Sequence, residues 1–243
     1  MTAIEIRGLS KTFRGRTAVD GLDLSIGRGE VFALLGQNGA GKTTTIRMLS
    51  CLLRPTAGDA VLLGDSIVER PDAVKAKISV SPQETAVAPK LSVRENLRLM
   101  ARLYGKGKAE AADAAEAMMA AFGLGERAGD RAKSLSGGMQ RRLSIAMALI
   151  SGPQILFLDE PTLGLDVRAR RELWKLVEGL KKQITIILTT HYLEEAAALA
   201  DRIGIMSRGK MRIVGTAEEI AAATGQTSLE EAFLQLTEGE TGE

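Results

Sequence analysis

The sequence predicts an α/β fold with a buried parallel sheet, and three observations support this prediction. Apolar residues follow one another in three runs of strand length, at residues 31–35, 155–158 and 184–188, as in strands that are buried on both faces. Segments with helical spacing alternate with these runs, which is typical of a parallel sheet covered by helices. The 243 residues are 45% hydrophobic and 26% charged, an ordinary composition for a globular chain, and we interpret residues 1–243 as a single domain.

The N-terminal segment predicts a pair of antiparallel strands. Apolar and polar residues mostly alternate in two stretches, and Arg14-Gly15-Arg16 interrupts the alternation. Alternation indicates a strand with one buried face, and a glycine between two such stretches indicates a turn. We therefore expect an antiparallel β subdomain before the parallel sheet. The alternating apolar residues are Ile4, Ile6, Leu9, Val19, Leu22, Leu24 and Ile26.

A glycine-rich segment, GQNGAGKTT, follows the first buried strand and opens a helix that we predict over residues 42–53, ending near Pro55. The segment matches the phosphate-binding pattern G-x-x-x-x-G-K-[ST]. Its glycines let backbone N–H groups point at phosphate oxygens, and the helix N-terminus adds partial positive charge. Lys42 would bind the β- and γ-phosphates, and the Thr43 hydroxyl would ligate Mg²⁺. The nucleotide-binding residues predicted here are Gly36, Gln37, Asn38, Gly39, Ala40, Gly41, Lys42, Thr43 and Thr44.

The middle of the chain predicts a helical subdomain inserted at about residues 86–150. The composition becomes rich in Ala, Leu, Met, Glu and Arg, with helical spacing and no convincing strand. The clearest helix, AEAADAAEAMMAAFGL, stops at Gly123. Two buried strands, QILFLDE and ITIILTT, then flank an amphipathic helix, RARRELWKLVEGLKK, on which we expect Trp174 to be a packing residue.

The last part of the chain, from about residue 216 to 243, predicts a helical extension. Thr216 with Glu219, and Ser228 with Glu231, have the spacing of capping boxes. We expect the final residues, TEGETGE, to fray. The apolar residues that fall on one face of the last helix are Leu229, Ala232, Phe233 and Leu236.

Two carboxylates and the single histidine of the sequence follow the second and third buried strands. Asp159-Glu160 comes after ILFL, and His191 comes after ITIILTT. Because parallel strands deliver such residues to one edge of a sheet, we expect the three side chains to lie close together. Asp159 would hold Mg²⁺, and Glu160 would polarise the attacking water. His191 would contact the γ-phosphate or orient Glu160 and the water, so Glu160 and His191 are the predicted catalytic residues.

A second candidate phosphate site lies at residues 135–142, LSGGMQRR, just before the predicted helix RRLSIAMALI. Ser136, Gly137 and Gly138 would expose N–H groups at a helix N-terminus, where anions bind. A single nucleotide already fills the first site. Taken alone, the segment would favour the interpretation as a Ser-Gly-Gly helix cap.

Six motifs together resemble the ATP-binding subunit of an ATP-binding cassette (ABC) transporter. The resemblance covers about residues 3–215, and LSGGM is specific to this family and closely related ATPases. It implies a P-loop NTPase (RecA-like) core with the N-terminal antiparallel β subdomain and the inserted helical subdomain, and it implies ATP and Mg²⁺ as cofactors. The motifs are GQNGAGKTT, Gln83 in SVSPQE, LSGGMQRR, ILFLDEP, Gly164-Leu165-Asp166 and His191.

The resemblance also implies roles for single residues. Phe13 would stack on adenine, although from the residues alone it could equally be a core residue at a strand end. Gln83 would reach Mg²⁺ and the attacking water. Ser136 and Gly138 would contact the γ-phosphate of ATP bound to a second copy of the chain, and Asp166 would lie at the interface. The implied assembly is a head-to-tail dimer that encloses two ATP molecules.

Softer similarities favour the branch of bacterial drug, lipid and polysaccharide exporters, with an ABC importer as the alternative. The implied partner is a separate integral-membrane permease, which would hold the subunit on the cytoplasmic face of the cell membrane. Residues 84–93 are the predicted contact region. Gln37 stands where many relatives carry Pro, and we expect little effect because its side chain is not part of the phosphate cradle. No cargo is predicted, since the substrate path would lie in the permease.

Three competing functions lack supporting features in the sequence. A P-loop GTPase needs an N-K-x-D segment to read guanine, and none occurs. Non-transport cassette ATPases of translation carry two cassettes and those of DNA repair carry long coiled-coil insertions, neither of which is present. A pure binding module would not need Glu160 and His191, which can both perform chemistry.

Charge, cysteine content and hydropathy limit which partners and which cellular compartment we expect for this chain. The net charge of +2 and the absence of a basic run give no reason to expect a nucleic acid. A single cysteine, Cys51, excludes an internal disulfide and suits a reducing compartment, and we expect it to be a small buried side chain on a helix. No segment approaches the ~20 apolar residues that span a bilayer.

Overall fold

The computed structural model describes residues 1–238, with the backbone alone at residue 238. Its strands belong to two sheets, one antiparallel and one mostly parallel. The strands of these residues are β1 (Thr2–Phe13), β2 (Arg16–Gly27), β3 (Val31–Leu35), β4 (Ala57–Leu62), β5 (Asp65–Ser66), β6 (Ile78–Ser81), β7 (Ile155–Asp159), β8 (Thr185–Thr190), β9 (Arg202–Ser207) and β10 (Lys210–Gly215).

Helices make up much of the remaining chain, and no helix within residues 1–238 is both long and apolar enough to cross a membrane. Two short 3-10 helices, Gly125–Arg127 and Ala132–Ser134, lie within the inserted helical segment. The α-helices are α1 (Lys42–Leu49), α2 (Pro71–Lys75), α3 (Val93–Leu103), α4 (Lys108–Ala121), α5 (Gly137–Leu149), α6 (Val167–Leu180), α7 (Leu193–Leu199), α8 (Ala217–Thr224) and α9 (Leu229–Glu238).

The two sheets have the predicted character. The four-stranded sheet has the order β2-β1-β4-β5 and is antiparallel throughout. The six-stranded sheet has the order β10-β9-β3-β8-β7-β6, and all its neighbouring pairs are parallel except β9 and β10. The α/β fold with an N-terminal antiparallel β subdomain is therefore confirmed.

The N-terminal pair forms where alternation predicted it. Ile4 of β1 lies opposite Ile26 of β2, and the two strands close at the pair Phe13 and Arg16. Between them Gly15 adopts a φ of 87°, a left-handed conformation that glycine takes at little cost. The turn thus places the exposed ring of Phe13 at the end of the hairpin.

The central strands are buried on both faces, as their unbroken apolar runs predicted. In β3, the side chains of Val31, Ala33 and Leu35 join a core formed with the helices of the insertion and of the C-terminal half. Phe32 and Leu34 point to the other face and join a core with α1 and the antiparallel sheet. The six-stranded sheet is therefore a middle layer between two cores, and the ends of its strands remain available for a binding site.

Helix α1 ends at Leu49, earlier than predicted, because a left-handed residue closes it. Cys51 has a φ of 57°, so it lies just past the helix and not within it. Its N–H donates to the Met48 carbonyl at 3.0 Å, and the Leu52 N–H donates to the Arg47 carbonyl at 2.9 Å. These two bonds form a Schellman motif, which glycine usually supplies, so no sequence signal marked the stop.

The helical insertion lies between β6 and β7, and its helices α3, α4 and α5 pack on one another. Helix α3 starts with a capping box in which Ser92 and Glu95 each accept the other's N–H. Among the described residues of this segment the only extended pairing is an isolated bridge between Ser92 and Arg131. The prediction of a helical insertion without a strand is confirmed.

The C-terminal extension contains two helices, and one of its two predicted capping boxes is complete. At α8, Thr216 and Glu219 bond reciprocally at 3.2 and 2.9 Å. At α9, Ser228 accepts the Glu231 N–H at 3.2 Å, but the Glu231 carboxylate accepts the N–H of Thr227 instead of that of Ser228. The predicted fraying lies outside the described residues beyond residue 238, and residues 237 and 238 belong to α9.

Candidate active site

Four neighbouring strands deliver the predicted site residues to one edge of the six-stranded sheet. The glycine-rich turn follows β3, His191 follows β8, Asp159 ends β7 and Gln83 follows β6. Because these strands are adjacent and parallel, their carboxyl ends meet at that edge, where α/β sheets bind ligands. A cleft of about 900 Å³ opens there. The predicted residues that line it are Phe13, Gln37, Asn38, Gly39, Ala40, Gly41, Lys42, Thr43, Thr44, Gln83, Glu160 and His191.

Two glycines of the turn are required by close backbone contacts. A Cβ atom on Gly36 would lie 2.5 Å from the carbonyl oxygen of Met206, and one on Gly41 would lie 2.6 Å from that of Ala18. Gly41 also has a φ of 107°, which side-chain-bearing residues rarely adopt. It immediately precedes α1, so the turn presents the first N–H groups of that helix to the cleft.

Lys42 is a buried cation, only 5% exposed, and its ammonium group already has several acceptors. It donates to the carbonyl oxygens of Gly36 at 2.7 Å and Gln37 at 3.3 Å. Its Nζ atom also lies 3.2 Å from Oε1 of Glu160. A buried charge must be paired in this way, and a phosphate entering the cleft would compete for the same donors.

Asp159 and Thr43 bring two oxygen ligands together. The Thr43 hydroxyl donates to Oδ1 of Asp159 at 3.1 Å, and the Thr189 hydroxyl donates to the same oxygen at 2.6 Å. Asp159 is 5% exposed. Carboxylate and hydroxyl oxygens are the ligands that Mg²⁺ prefers, usually together with phosphate oxygens and water. The donor set therefore fits the predicted magnesium ion.

Glu160 lies between a lysine and the histidine. Its Oε1 faces Lys42, and its Oε2 lies 2.8 Å from Nδ1 of His191. The residue is 5% exposed and has a φ of 48°, a left-handed conformation that is strained for glutamate. Its N–H is held by the hydroxyl of Thr189 at 3.0 Å. The structure thus fixes this carboxylate in the lining of the cleft, between the cation and the histidine.

Gln83 and Phe13 approach the cleft from its two sides. Gln83 is exposed in the loop that follows β6, and its backbone carbonyl accepts a hydrogen bond from the Arg141 side chain. The Phe13 ring is 44% exposed, and Nζ of Lys11 lies 5.2 Å from its centroid. A cation on an aromatic ring is favourable, so this contact helps to hold the ring at the cleft.

The residues of the second candidate phosphate site do not line this cleft. Ser136 is the N-cap of α5, and its hydroxyl accepts the Met139 N–H at 3.3 Å. Asp166 is the N-cap of α6, and its carboxylate accepts the Ala169 N–H at 2.8 Å. Within residues 1–238, neither of them nor Gly137 or Gly138 belongs to the cleft lining.

Gly138 is also the place where the two helices pack most closely, which gives a stability prediction. A Cβ atom on Gly138 would lie 2.8 Å from the Cβ atom of Ala169, whereas the nearest atom to one on Gly137 is 3.9 Å away. We expect Gly138→Ala to lower the free energy of unfolding by about 1–3 kcal/mol because of this overlap. Urea unfolding without nucleotide measures the loss, with Gly137→Ala as the matched control. Equal stability of the two variants would contradict the prediction.

Several residues of the cleft were not predicted from the sequence. Residues 16–18 come directly after the turn that follows Phe13, and this position was the signal in the sequence that they could line the same cleft. Three others lie at the end of β9 and in the turn that follows it, a segment that carries no motif and whose strands were not predicted. The additional lining residues are Arg16, Thr17, Ala18, Leu163, Met206, Ser207, Arg208 and Thr237.

A buried carboxyl group behind the cleft was also missed. Glu195 of α7 is fully buried, and Trp174 of α6 donates its indole N–H to Oε1 at 3.2 Å. Burial raises the pKa of Glu195, the charge of Glu160 raises it further, and the hydroxyls of Thr190 and Thr162 oppose the shift. Trp174 is thus a packing residue that also holds a buried acid. The sequence does not distinguish Glu195 from its exposed neighbour Glu194, because the two glutamates differ only in the side of α7 on which they lie.

Comparison with known proteins gives a consistent result. A protein-family model described as ABC transporter matches residues 19–163. The daunorubicin/doxorubicin resistance ATP-binding protein DrrA of Streptomyces peucetius is 46% identical over 228 residues, which cover 93% of this chain and 69% of that protein. The linearmycin resistance ATP-binding protein LnrL of Bacillus subtilis is 38% identical over 235 residues, which cover 96% and 74%.

Solved structures are also similar to this fold. One described as the ATP binding subunit of an ABC transporter superimposes with a TM-score of 0.85 at 29% sequence identity, and the match covers 97% of this chain and 99% of that one. Sequence and fold therefore agree on the same kind of relative.

Proposed function

This chain belongs to the ABC transporter family and is an ATPase, and we propose that it is the motor subunit that drives export through a separate membrane permease. Relatives named for drug resistance favour export over import. The permease would contact residues 84–93 and would hold the subunit on the cytoplasmic face of the membrane. We propose one ABC ATPase domain over residues 1–243, with a helical subdomain at about 86–150 and a helical extension from about 216, and no nucleic-acid partner.

The contact of Glu160 with both Lys42 and His191 is the observation that carries the proposed hydrolysis. The ammonium group of Lys42 lies 3.2 Å from the carboxylate. The γ-phosphate is a stronger acceptor for the ammonium group, so ATP binding would draw Lys42 away and leave Glu160 to accept a proton from the attacking water. His191, 2.8 Å from the other carboxylate oxygen, would keep Glu160 oriented toward that water.

The remaining cleft residues support ATP and Mg²⁺ as the ligands. Thr43, Asp159 and Gln83 would hold the metal ion, which when bound neutralises charge on the β- and γ-phosphates. The backbone N–H groups of residues 36–44 would bind the phosphates, and Phe13 would stack on the base. Thr43 and Asp159 already bond to each other at 3.1 Å, which favours a shared ion at that point.

The proposed working unit is a head-to-tail dimer enclosing two ATP molecules. Ser136, Gly138 and Asp166 are at helix N-termini yet lie outside the cleft lining of their own chain within residues 1–238. In a head-to-tail dimer Ser136 and Gly138 would meet the γ-phosphate held by the other copy, and Asp166 would lie at the interface. In this arrangement the helix N-terminus at Ser136 would bind the ATP of the other copy. A single chain with a single nucleotide would leave it without a phosphate.

Size-exclusion chromatography tests the proposed dimer. Glu160→Gln should retain ATP and therefore elute as a dimer with ATP and Mg²⁺, and as a monomer without nucleotide. The matched control is Glu160→Gln combined with Lys42→Met, which should stay monomeric with ATP because the phosphates lose their buried cation. Elution of Glu160→Gln as a monomer under both conditions would count against the dimer.

A further inference from the structure

Arg141 is a buried arginine that joins helix α5 to the loop carrying Gln83. It is 5% exposed, and its Nη1 donates to the Pro82 carbonyl oxygen at 2.6 Å while its Nη2 donates to the Gln83 carbonyl oxygen. One helical turn further on, the buried hydroxyls of Ser144 and Ser81 lie 3.1 Å apart. Two side chains of one face of α5 thus hold the chain just after β6.

Nearby negative charges also stabilise the buried guanidinium group of Arg141. Three carboxylates near the site, those of Asp159, Glu160 and Glu195, are buried. Burial lowers the pKa of Arg141, and the charges of Asp159 and Glu195 oppose that shift. A cation taken out of water needs acceptors and opposite charge, which the two carbonyl oxygens and the nearby charges of Asp159 and Glu195 provide.

The same helix begins at the second candidate phosphate site. Ser136 is its N-cap, and Arg141 lies just over one turn beyond it. The first turn of α5 would therefore meet the ATP of a second copy, while Arg141 reaches the loop beside the ATP of its own copy. A displacement of the helix N-terminus would be carried to Gln83 through two strong hydrogen bonds.

We propose that Arg141 is a positioning residue that links the two ATP sites of the dimer by fixing the Gln83 loop to the helix that begins at Ser136. The inference rests on the proposed function, because it requires the head-to-tail dimer and the role of Gln83. Two successive carbonyl oxygens require the planar fork of arginine, since lysine has a single nitrogen to place between them. The adjacent Arg142 has a different task, because it pairs with Glu172 of α6 at 3.2 Å.

Kinetics of three variants test this link. In Arg141→Gln, which lacks the charge and the fork, kcat for ATP should fall by about 10- to 100-fold because Gln83 is misplaced. The Kd for ATP, measured under conditions without hydrolysis, should stay within about twofold of the wild-type value. A higher Mg²⁺ concentration should be needed to reach the half-maximal rate. Arg141→Lys should recover part of kcat, and Arg142→Lys should stay within about twofold of the wild type.

A spin label beside Gln83 gives a readout that a general loss of stability would not move. Glu84 is exposed and follows Gln83, so Glu84→Cys in a Cys51→Ser background offers a single labelling site. The label should become more mobile with Arg141→Lys and should be unchanged with Arg142→Lys.

The outcomes separate this inference from the proposed function. If Arg141→Gln folds and keeps kcat within about twofold, or if the label is equally mobile with Arg141→Lys, the link is wrong. A fall in kcat/KM that is matched by weaker ATP binding also overturns it. If Arg141→Gln does not fold, Arg141→Lys carries both measurements. A wild-type chain that fails to hydrolyse ATP would overturn the proposed function and this inference together, whereas active wild type with unaffected variants overturns the inference alone.

Discussion

Replacing Glu160 with glutamine is expected to lower kcat for ATP hydrolysis by about 10²- to 10⁴-fold while ATP still binds. The amide has nearly the same shape as the carboxylate, so it can still contact His191, which lies 2.8 Å from Oε2. It cannot accept the proton of the attacking water. The change also removes the ion pair with Lys42, and the ammonium group becomes freer to bind phosphate. Steady-state phosphate release and equilibrium binding of ATP measure the two effects separately.

The neighbouring helix offers a control for the loss of one negative charge. Glu194 of α7 is exposed, so Glu194→Gln should leave kcat within about twofold. Glu160→Asp keeps the charge but shortens the side chain, and it should lose rate because the distance to the water grows. If Glu160→Gln hydrolyses ATP at the wild-type rate, another group is the base. A large loss of ATP binding in that variant would instead assign Glu160 a binding role.

Much of the cleft could be predicted because its residues follow strongly marked strands. VFALL and ILFLD are apolar at all or all but one position, TIILTT has three consecutive apolar residues, and each run ends in or is followed by the residues of the cleft. Once these strands are adjacent and parallel, Lys42, Glu160 and His191 must meet at one edge. The contacts at 3.2 and 2.8 Å around Glu160 follow from that placement.

Other parts of the site depend on long-range contacts that leave no local pattern. Met206 near the end of β9 and Arg208 in the turn to β10 also line the cleft, and these two strands, RIGIMS and KMRIVG, have mixed composition. Helix α1 stops at a left-handed Cys51, although cysteine is not a usual stop signal. Arg141 and Glu195 are charged residues in the core, and composition alone predicts such residues to be exposed. Each is buried because it has partners on a distant segment.

Mixing two inactive variants should restore activity if each ATP site is shared between two copies. Glu160→Gln removes the group that would accept a proton from the attacking water, but it should keep ATP binding and therefore dimer formation. Ser136→Asp keeps a good N-cap on α5 but places a negative charge where the γ-phosphate of the other copy would lie. Each variant alone should therefore have little ATPase activity. In a mixed dimer both changes fall in the same site, and the other site has an intact Glu160 and an intact Ser136.

Random assembly of equal amounts makes about half of the dimers mixed, and each mixed dimer has one of its two sites intact, so about a quarter of wild-type activity should return. The control is a chain with both substitutions mixed with an equal amount of wild type. Its mixed dimers have one change in each site, so activity should fall to about a quarter of the value for wild type alone. If every chain held a complete site, this control would keep about half, and the two single variants would not rescue each other. ATPase rates of the two mixtures therefore decide whether Ser136 acts on the ATP of its partner or on that of its own chain.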